Sequence, residues 1–136
     1  MIHSHATTRF LVIREFNTLQ RQLALAKASH CPVLIDFYAT WCPDCVAMDH
    51  HVFDLASVKQ ALYPFVLIRV DLSDNTPDEQ RILSYFHVIA PPAIIFFNEY
   101  GNEVMQRRIM GELNANEFLR RIHSFFEAGC DKNAQC

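Results

Sequence analysis

Asp36-Phe-Tyr-Ala-Thr-Trp41-Cys42-Pro43-Asp44-Cys45 closes one apolar run and opens a segment of helical character. The run before it, Val33-Leu-Ile-Asp-Phe-Tyr-Ala39 behind Pro32, is nearly unbroken in apolar residues. Such continuity suits a strand covered on both faces. A Cys-x-x-Cys at a strand-to-helix junction puts one sulfur at the helix N-terminus and the other one turn behind it. Unpaired amides and the positive end of the helix dipole favour a thiolate at Cys42. Such a thiolate can attack a partner's disulfide, and Cys45, held within reach, resolves the mixed disulfide. The spacing asks for an accessible Cys42 and a shielded Cys45.

Further along the chain the pattern alternates between strand and helix. Phe10–Ile13 is a short strand candidate, and Phe16, Leu19, Leu23 and Ala26 recur at helical spacing between Glu15 and Ser29. Two more apolar runs, Phe65-Val-Leu-Ile-Arg-Val70 and Ala93-Ile-Ile-Phe-Phe97, match the character of 33–39. Thr76-Pro-Asp-Glu79 reads as an N-cap, a first-turn proline and a capping-box glutamate. Asn114-Ala-Asn-Glu117 repeats that logic ahead of an apolar stripe, Phe118, Leu119, Ile122, Phe125 and Phe126. The segment from Cys42 to Leu62 reads as a helix broken near Phe53–Asp54, with Asp54 as cap of a second piece. Asn98-Glu-Tyr-Gly-Asn102 is a turn into a more polar strand, Glu103 to Met110. The order β-α-β-α-α-β-α-β-β-α is an α/β fold: a central mixed sheet, helices on both faces, one antiparallel hairpin near the end. Residues 10–127 form the domain, 1–9 an N-terminal extension, and 128–136 a flexible tail.

Composition narrows the function. The chain has 136 residues, 51% of them hydrophobic, and a net charge of −3, enough apolar material for one core. Lacking a basic run, it has no nucleic-acid footprint. Its three glycines, at 101, 111 and 129, cannot assemble a phosphate loop or dinucleotide fingerprint, and no cofactor is expected. No stretch approaches the ~20 apolar residues of a membrane helix. The N-terminus lacks the basic and apolar regions of a signal peptide, so the protein resides where it is made or is cut from a longer exported precursor. Cys31, Cys42, Cys45, Cys130 and Cys136 are odd in number, against a fully paired framework. Cys31 is expected at the sheet end remote from Cys42. Cys130 and Cys136 are expected to be tail thiols without function.

Three acids and two prolines surround the motif. Asp36 sits inside an apolar strand, where an ionisable group is costly without a partner or a role. Asp49 lies seven residues after Cys42, two helical turns along on the same side. With Asp44 between the cysteines, these acids disfavour a thiolate and favour a reductant, and Asp36 or Asp49 can ferry a proton. Pro91-Pro92 precedes the strand at Ala93 and marks its first residue, a cis turn or a plain loop. A rival reading uses Cys42, Cys45 and His50 or His51 as part of a zinc set, but the remaining ligands are missing. His50 and His51 are expected to face solvent.

Together, Asp36 to Cys45, Ala90-Pro-Pro-Ala-Ile-Ile-Phe-Phe97 and Gly111 resemble thioredoxin-fold proteins from about Phe10 to Phe126. More narrowly, Lys27-Ala-Ser-His-Cys-Pro-Val33, the extra helix near Asp54–Leu62 and Asp71-Leu-Ser-Asp-Asn75 are similar to the C-terminal periplasmic domain of the DsbD family. That resemblance implies a protein-disulfide reductase taking electrons from a membrane-embedded donor. It would pass them to a periplasmic immunoglobulin-like acceptor, serving disulfide isomerisation and cytochrome c maturation. It makes Cys42 the nucleophile, Cys45 the resolving thiol, Asp36 the buried acid, Asp49 a second acid (Glu in the family) and Pro92 a cis-proline. Trp41, Pro43, Asp44, Pro91, Pro92 and Gly111 fall on the partner-binding rim. A monomeric periplasmic domain of a longer membrane protein or exported precursor is implied. The alternatives are a free-standing, cytoplasmic thioredoxin-like reductase or isomerase, and a metal-binding module. The chain departs from the family at Pro43-Asp44, an apolar pair there, which bears on redox poise. It departs again at Pro91, which has no N–H to offer a docked partner strand.

Overall fold

A computed structural model describes residues 9–127. The strands are β1 (Leu11–Ile13), β2 (Val33–Tyr38), β3 (Val66–Asp71), β4 (Ala93–Phe97) and β5 (Ile109–Met110). The helices are α1 (Phe16–Ala28), α2 (Pro43–Met48), α3 (Ala56–Ala61), α4 (Pro77–Phe86) and α5 (Ala115–Glu127). One sheet runs β1-β3-β2-β4-β5. β1, β3 and β2 are parallel, β4 is antiparallel to β2, and β5 is antiparallel to β4. The mixed sheet, the helices and the closing hairpin are those expected from the alternating pattern.

Helices cover both faces. Val33, Ile35 and Phe37 of β2 join Phe16 and Leu19 of α1 and Ile82 and Phe86 of α4 in one buried cluster. Leu34 belongs to the other, with Met48, Val52, Val58 of α3, and Phe118, Ile122 and Phe125 of α5. Strand alternation thus feeds two cores, which is why the β2 run is apolar at nearly every position. The second core is rich in rings: Phe65 packs against Phe96, Phe125 and Phe126 at centroid distances of 5.9, 5.1 and 5.5 Å.

The caps at Thr76 and Asn114 form: their side-chain oxygens accept the amides of Glu79 (3.1 Å) and Glu117 (2.8 Å). The capping box at Thr76 is only half closed. Glu79 is buried, and neither carboxylate oxygen has a hydrogen-bond partner. The turn after β4 forms as well, with Asn98 Oδ1 accepting the amides of Tyr100 and Asn102 at 3.0 Å each. There Gly101 has φ +83°, and an added Cβ would fall 2.7 Å from the Lys27 side chain, so glycine is required on both counts.

Two expectations are corrected. The helical segment breaks at Asp54–Leu55, as expected, but its last stretch before the break, Asp49–Phe53, is π-helical, closed by the Asp54 amide on the Asp49 carbonyl at 3.0 Å. Asp54 does not cap α3, which starts behind Leu55 without a side-chain cap. The expected strand 103–110 shrinks to β5 and one bridge, Phe97 to Glu103. Between them a 3-10 turn, Met105–Arg107, interrupts the ladder. Arg108 folds back onto Glu103 (2.6 and 2.9 Å) and the Phe86 carbonyl (2.7 Å), anchoring the segment by side chain instead of by strand pairing. The terminal extension before residue 9 and the tail with Cys130 and Cys136 lie outside the described residues. Cys31 precedes β2 whereas Cys42 follows it, so the two occupy opposite ends of that strand, as expected.

Candidate active site

β2 delivers the chain to its C-terminal end, and a short loop turns it into α2. The Cys42 amide bonds the Ala39 carbonyl at 3.1 Å, and the Thr40 amide reaches the Ser73 hydroxyl beyond β3 at 2.9 Å. Cys42 is then the N-cap of α2 with Pro43 at the first helical position, where its fixed φ and missing N–H cost nothing. The Cys45 amide donates to Cys42 Sγ at 3.2 Å, and the two sulfurs form a disulfide with a Cα–Cα separation of 5.3 Å. An amide aimed at Cys42 Sγ is the local feature that would stabilise a thiolate there after reduction.

Access differs less than the spacing suggests. In this disulfide state Cys42 is 5% and Cys45 4% exposed; both belong to the buried cluster that also holds Val88 and Ala93. Trp41, at 60% exposure, and Pro43 and Asp44 stand exposed around them. The Pro91–Pro92 peptide is cis. Gly111, at φ +93°, donates its amide to the Pro92 carbonyl at 2.9 Å, joining two of the rim positions singled out in the sequence. Pro91 and Pro92 are both half-buried.

Asp36 and Asp49 are brought together by a residue the sequence reading passed over. Arg69 of β3 lies in register with Asp36 of β2. Its Nε donates to Asp36 Oδ2 at 2.8 Å, and its two terminal nitrogens donate to the Asp49 oxygens at 3.1 and 2.5 Å. The rings of Phe10 and Tyr38 flank the guanidinium at 4.3 and 4.1 Å, a cation–π sandwich. The available signal was a lone arginine inside the apolar run Phe65–Val70. Burial dominates at Asp36 and raises its carboxyl to about 7, although the Arg69 charge and hydrogen bond pull the other way; Asp49 adds a smaller upward push. Burial opposes the Arg69 charge too, but its bonds to Asp49 and Asp36 outweigh that and raise its pKa.

His50 and His51 are exposed, and His50 faces Asp54 at 3.8 Å. Among the described residues no group of three or more His, Cys, Asp or Glu side chains is placed to hold a metal ion.

Residues 15–99 match the model of a family described as thioredoxin-like. The chain belongs to the thioredoxin-like family. Within it, the chain is similar to the thiol:disulfide interchange protein DsbD of Vibrio vulnificus, 37% identical over 113 residues, covering 83% of this chain and 19% of that protein. DsbD 2 of Pseudomonas aeruginosa is 36% identical over 120 residues, 88% of this chain and 20% of the relative. The thioredoxin-like chain thus spans about a fifth of the length of these relatives. Its fold is also similar to the oxidised C-terminal domain of Neisseria meningitidis DsbD. That likeness has a TM-score of 0.68 at 24% identity, covering 87% of this chain and 98% of that one. No helix among the described residues is long and apolar enough to cross a membrane.

Proposed function

We propose that this thioredoxin-like domain is a protein-disulfide reductase that relays electrons by dithiol–disulfide exchange, as a DsbD-like segment facing the periplasm. The observation that carries the reading is the Cys42–Cys45 disulfide at the β2–α2 junction, in a chain whose relatives are named for thiol:disulfide interchange. In the reduced domain the Cys42 thiolate attacks one sulfur of a partner disulfide. The partner's S–S bond breaks, its second sulfur leaves as a thiolate, and a mixed disulfide forms. Cys45 loses its proton and attacks Cys42 Sγ, which closes the intramolecular disulfide and frees the partner as a dithiol. Two electrons have then passed to the partner, together with the Cys45 proton and, by way of solvent, the proton that Cys42 gave up on becoming a thiolate. A donor dithiol resets the domain by the reverse exchange.

Asp36 is the group suited to the proton step. A carboxyl near 7 takes or gives a proton at neutral pH with little mismatch. Arg69 holds it against Asp49, so the element carrying the cysteines and the strand beneath it share one charge cluster. Trp41, Pro43, Asp44, Pro91, Pro92 and Gly111 form the rim against which a monomeric domain docks its partner. A membrane-embedded donor and an immunoglobulin-like periplasmic acceptor are the partners the DsbD resemblance implies. With Pro91 lacking an N–H, a docked strand gains one backbone bond fewer there. The test is turnover of a protein disulfide by the pre-reduced domain: wild type reduces it stoichiometrically and Cys42→Ser does not. Retained reduction by Cys42→Ser would refute the nucleophile.

A further inference from the structure

Exchange at Cys42 brings a partner's chain against whatever surrounds that sulfur, and large apolar side chains stand exposed there. Trp41, its neighbour in the chain, is one. Val88 and Ala93 share the buried cluster of Cys42 and Cys45, and each has an exposed apolar companion. Ile89, next to Val88, is 91% exposed. Met110 pairs with Ala93 across β4 and β5, so the two side chains stand on one face of the sheet; Ala93 is buried and Met110 is 54% exposed. The stretch Val88-Ile-Ala-Pro-Pro92 carries no polar side chain. An exposed large apolar residue by itself needs no explanation, as at Leu25 on α1. Three of them around the reacting sulfur mark an interaction surface.

The backbone beside them offers a partner little to hold. Neither Pro91 nor Pro92 has an N–H, and the Pro92 carbonyl already accepts the Gly111 amide at 2.9 Å. A docked strand can donate to the Pro91 carbonyl, but its own carbonyl finds no donor at 91 or 92. Discrimination between partners then falls on side chains. We propose that Ile89 and Met110 clamp the residue beside the partner's reacting cysteine, so that the domain prefers protein disulfides whose cysteine is flanked by a large apolar side chain. This names the substrate class of the exchange proposed above and rests on it. Burying one such side chain on docking is worth about a factor of ten in rate. Asp44 and Glu112, both exposed and acidic, flank the same surface and bias it against acidic segments.

Two synthetic peptides test the clamp, each a disulfide-linked homodimer with one cysteine per strand and lysines at both ends. One has leucine on both sides of the cysteine, the other serine. The pre-reduced full chain is mixed with each, quenched in acid, and the released thiol peptide is measured by chromatography. Each rate is divided by that peptide's rate with dithiothreitol, which removes differences in intrinsic reactivity. Wild type should then favour the leucine peptide by about tenfold. Ile89→Ser and Met110→Ser should each narrow that ratio to about threefold or less, and Leu25→Ser should keep it. Because the ratio is read within one protein, a smaller folded fraction does not move it. Equal rates for the two peptides in wild type, or a leucine preference that survives both substitutions, would overturn the clamp. Wild type that reduces 2-hydroxyethyl disulfide but shows no peptide preference counts against the clamp alone. Wild type that reduces neither the peptides nor that small disulfide overturns the exchange reading, and the clamp with it.

Discussion

Asp36 and Asp71 lie on neighbouring strands and both are buried, yet their carboxyls move in opposite directions. Burial pushes each one up. At Asp71 it is outweighed by the Ser73 hydroxyl and amide (2.5 and 2.9 Å) and by Arg14 (2.5 Å), which hold the carboxyl below its usual value. Asp36 accepts one bond, from Arg69 Nε, while the rest of that guanidinium is turned to Asp49. Its carboxyl stays raised, at about 7. The number of donors aimed at the charged form, more than depth, separates a structural carboxylate from one that can exchange a proton at neutral pH.

Removing the shared cation should break the contrast most severely. Arg69→Gln strands two acids, one of them buried, and should cost about 3–5 kcal/mol of stability in urea titration; a loss under about 1 kcal/mol would mean that the cluster is solvated. Next in size, Asp36→Asn should slow reduction of a protein disulfide at pH 7 by about 100-fold. Asp71→Asn should leave the rate within about twofold. Equal effects on turnover would erase the functional distinction.

The same pair separates in stability against pH. A carboxyl raised in the folded state contributes most below its ordinary pKa of 3.8. That contribution is lost as pH rises from there through about 7. Between pH 4 and 8 the wild type should therefore lose roughly 2–4 kcal/mol relative to Asp36→Asn. Asp71, with its lowered pKa, behaves oppositely: its contribution is present above the ordinary carboxylate range and is lost on acidification. The smallest effect is electrostatic. Asp49→Asn removes a negative charge and should lower the Cys42 pKa by about half a unit, read from alkylation rate against pH; no shift would place Asp49 outside the field of the thiol.

What could be read from the chain follows the range of the interaction. The β2, β3 and β4 runs, the Thr76 and Asn114 caps and the Cys42–Cys45 junction depend on neighbours a few residues away, and all are where the pattern put them. The π turn at Asp49–Phe53 escaped because an amide bonding five residues back leaves no distinct spacing of apolar residues. The 103–110 segment escaped because Arg108 is anchored by groups as distant as Phe86. Arg69 escaped for the same reason: its meaning comes from register with Asp36 across two strands and from Asp49 on the element above. The acids were visible in the sequence. The cation joining them was a product of tertiary structure.

The most direct test of the exchange chemistry is to stop it halfway. Pre-reduced Cys45→Ala protein is mixed with a disulfide-bearing acceptor, quenched in acid and mapped by peptide mass. The expected product is a covalent adduct joining Cys42 to one acceptor cysteine, absent from Cys42→Ser protein. A sample with no adduct, or one joined through any other cysteine of the chain, would contradict the assignment of Cys42 as the attacking sulfur.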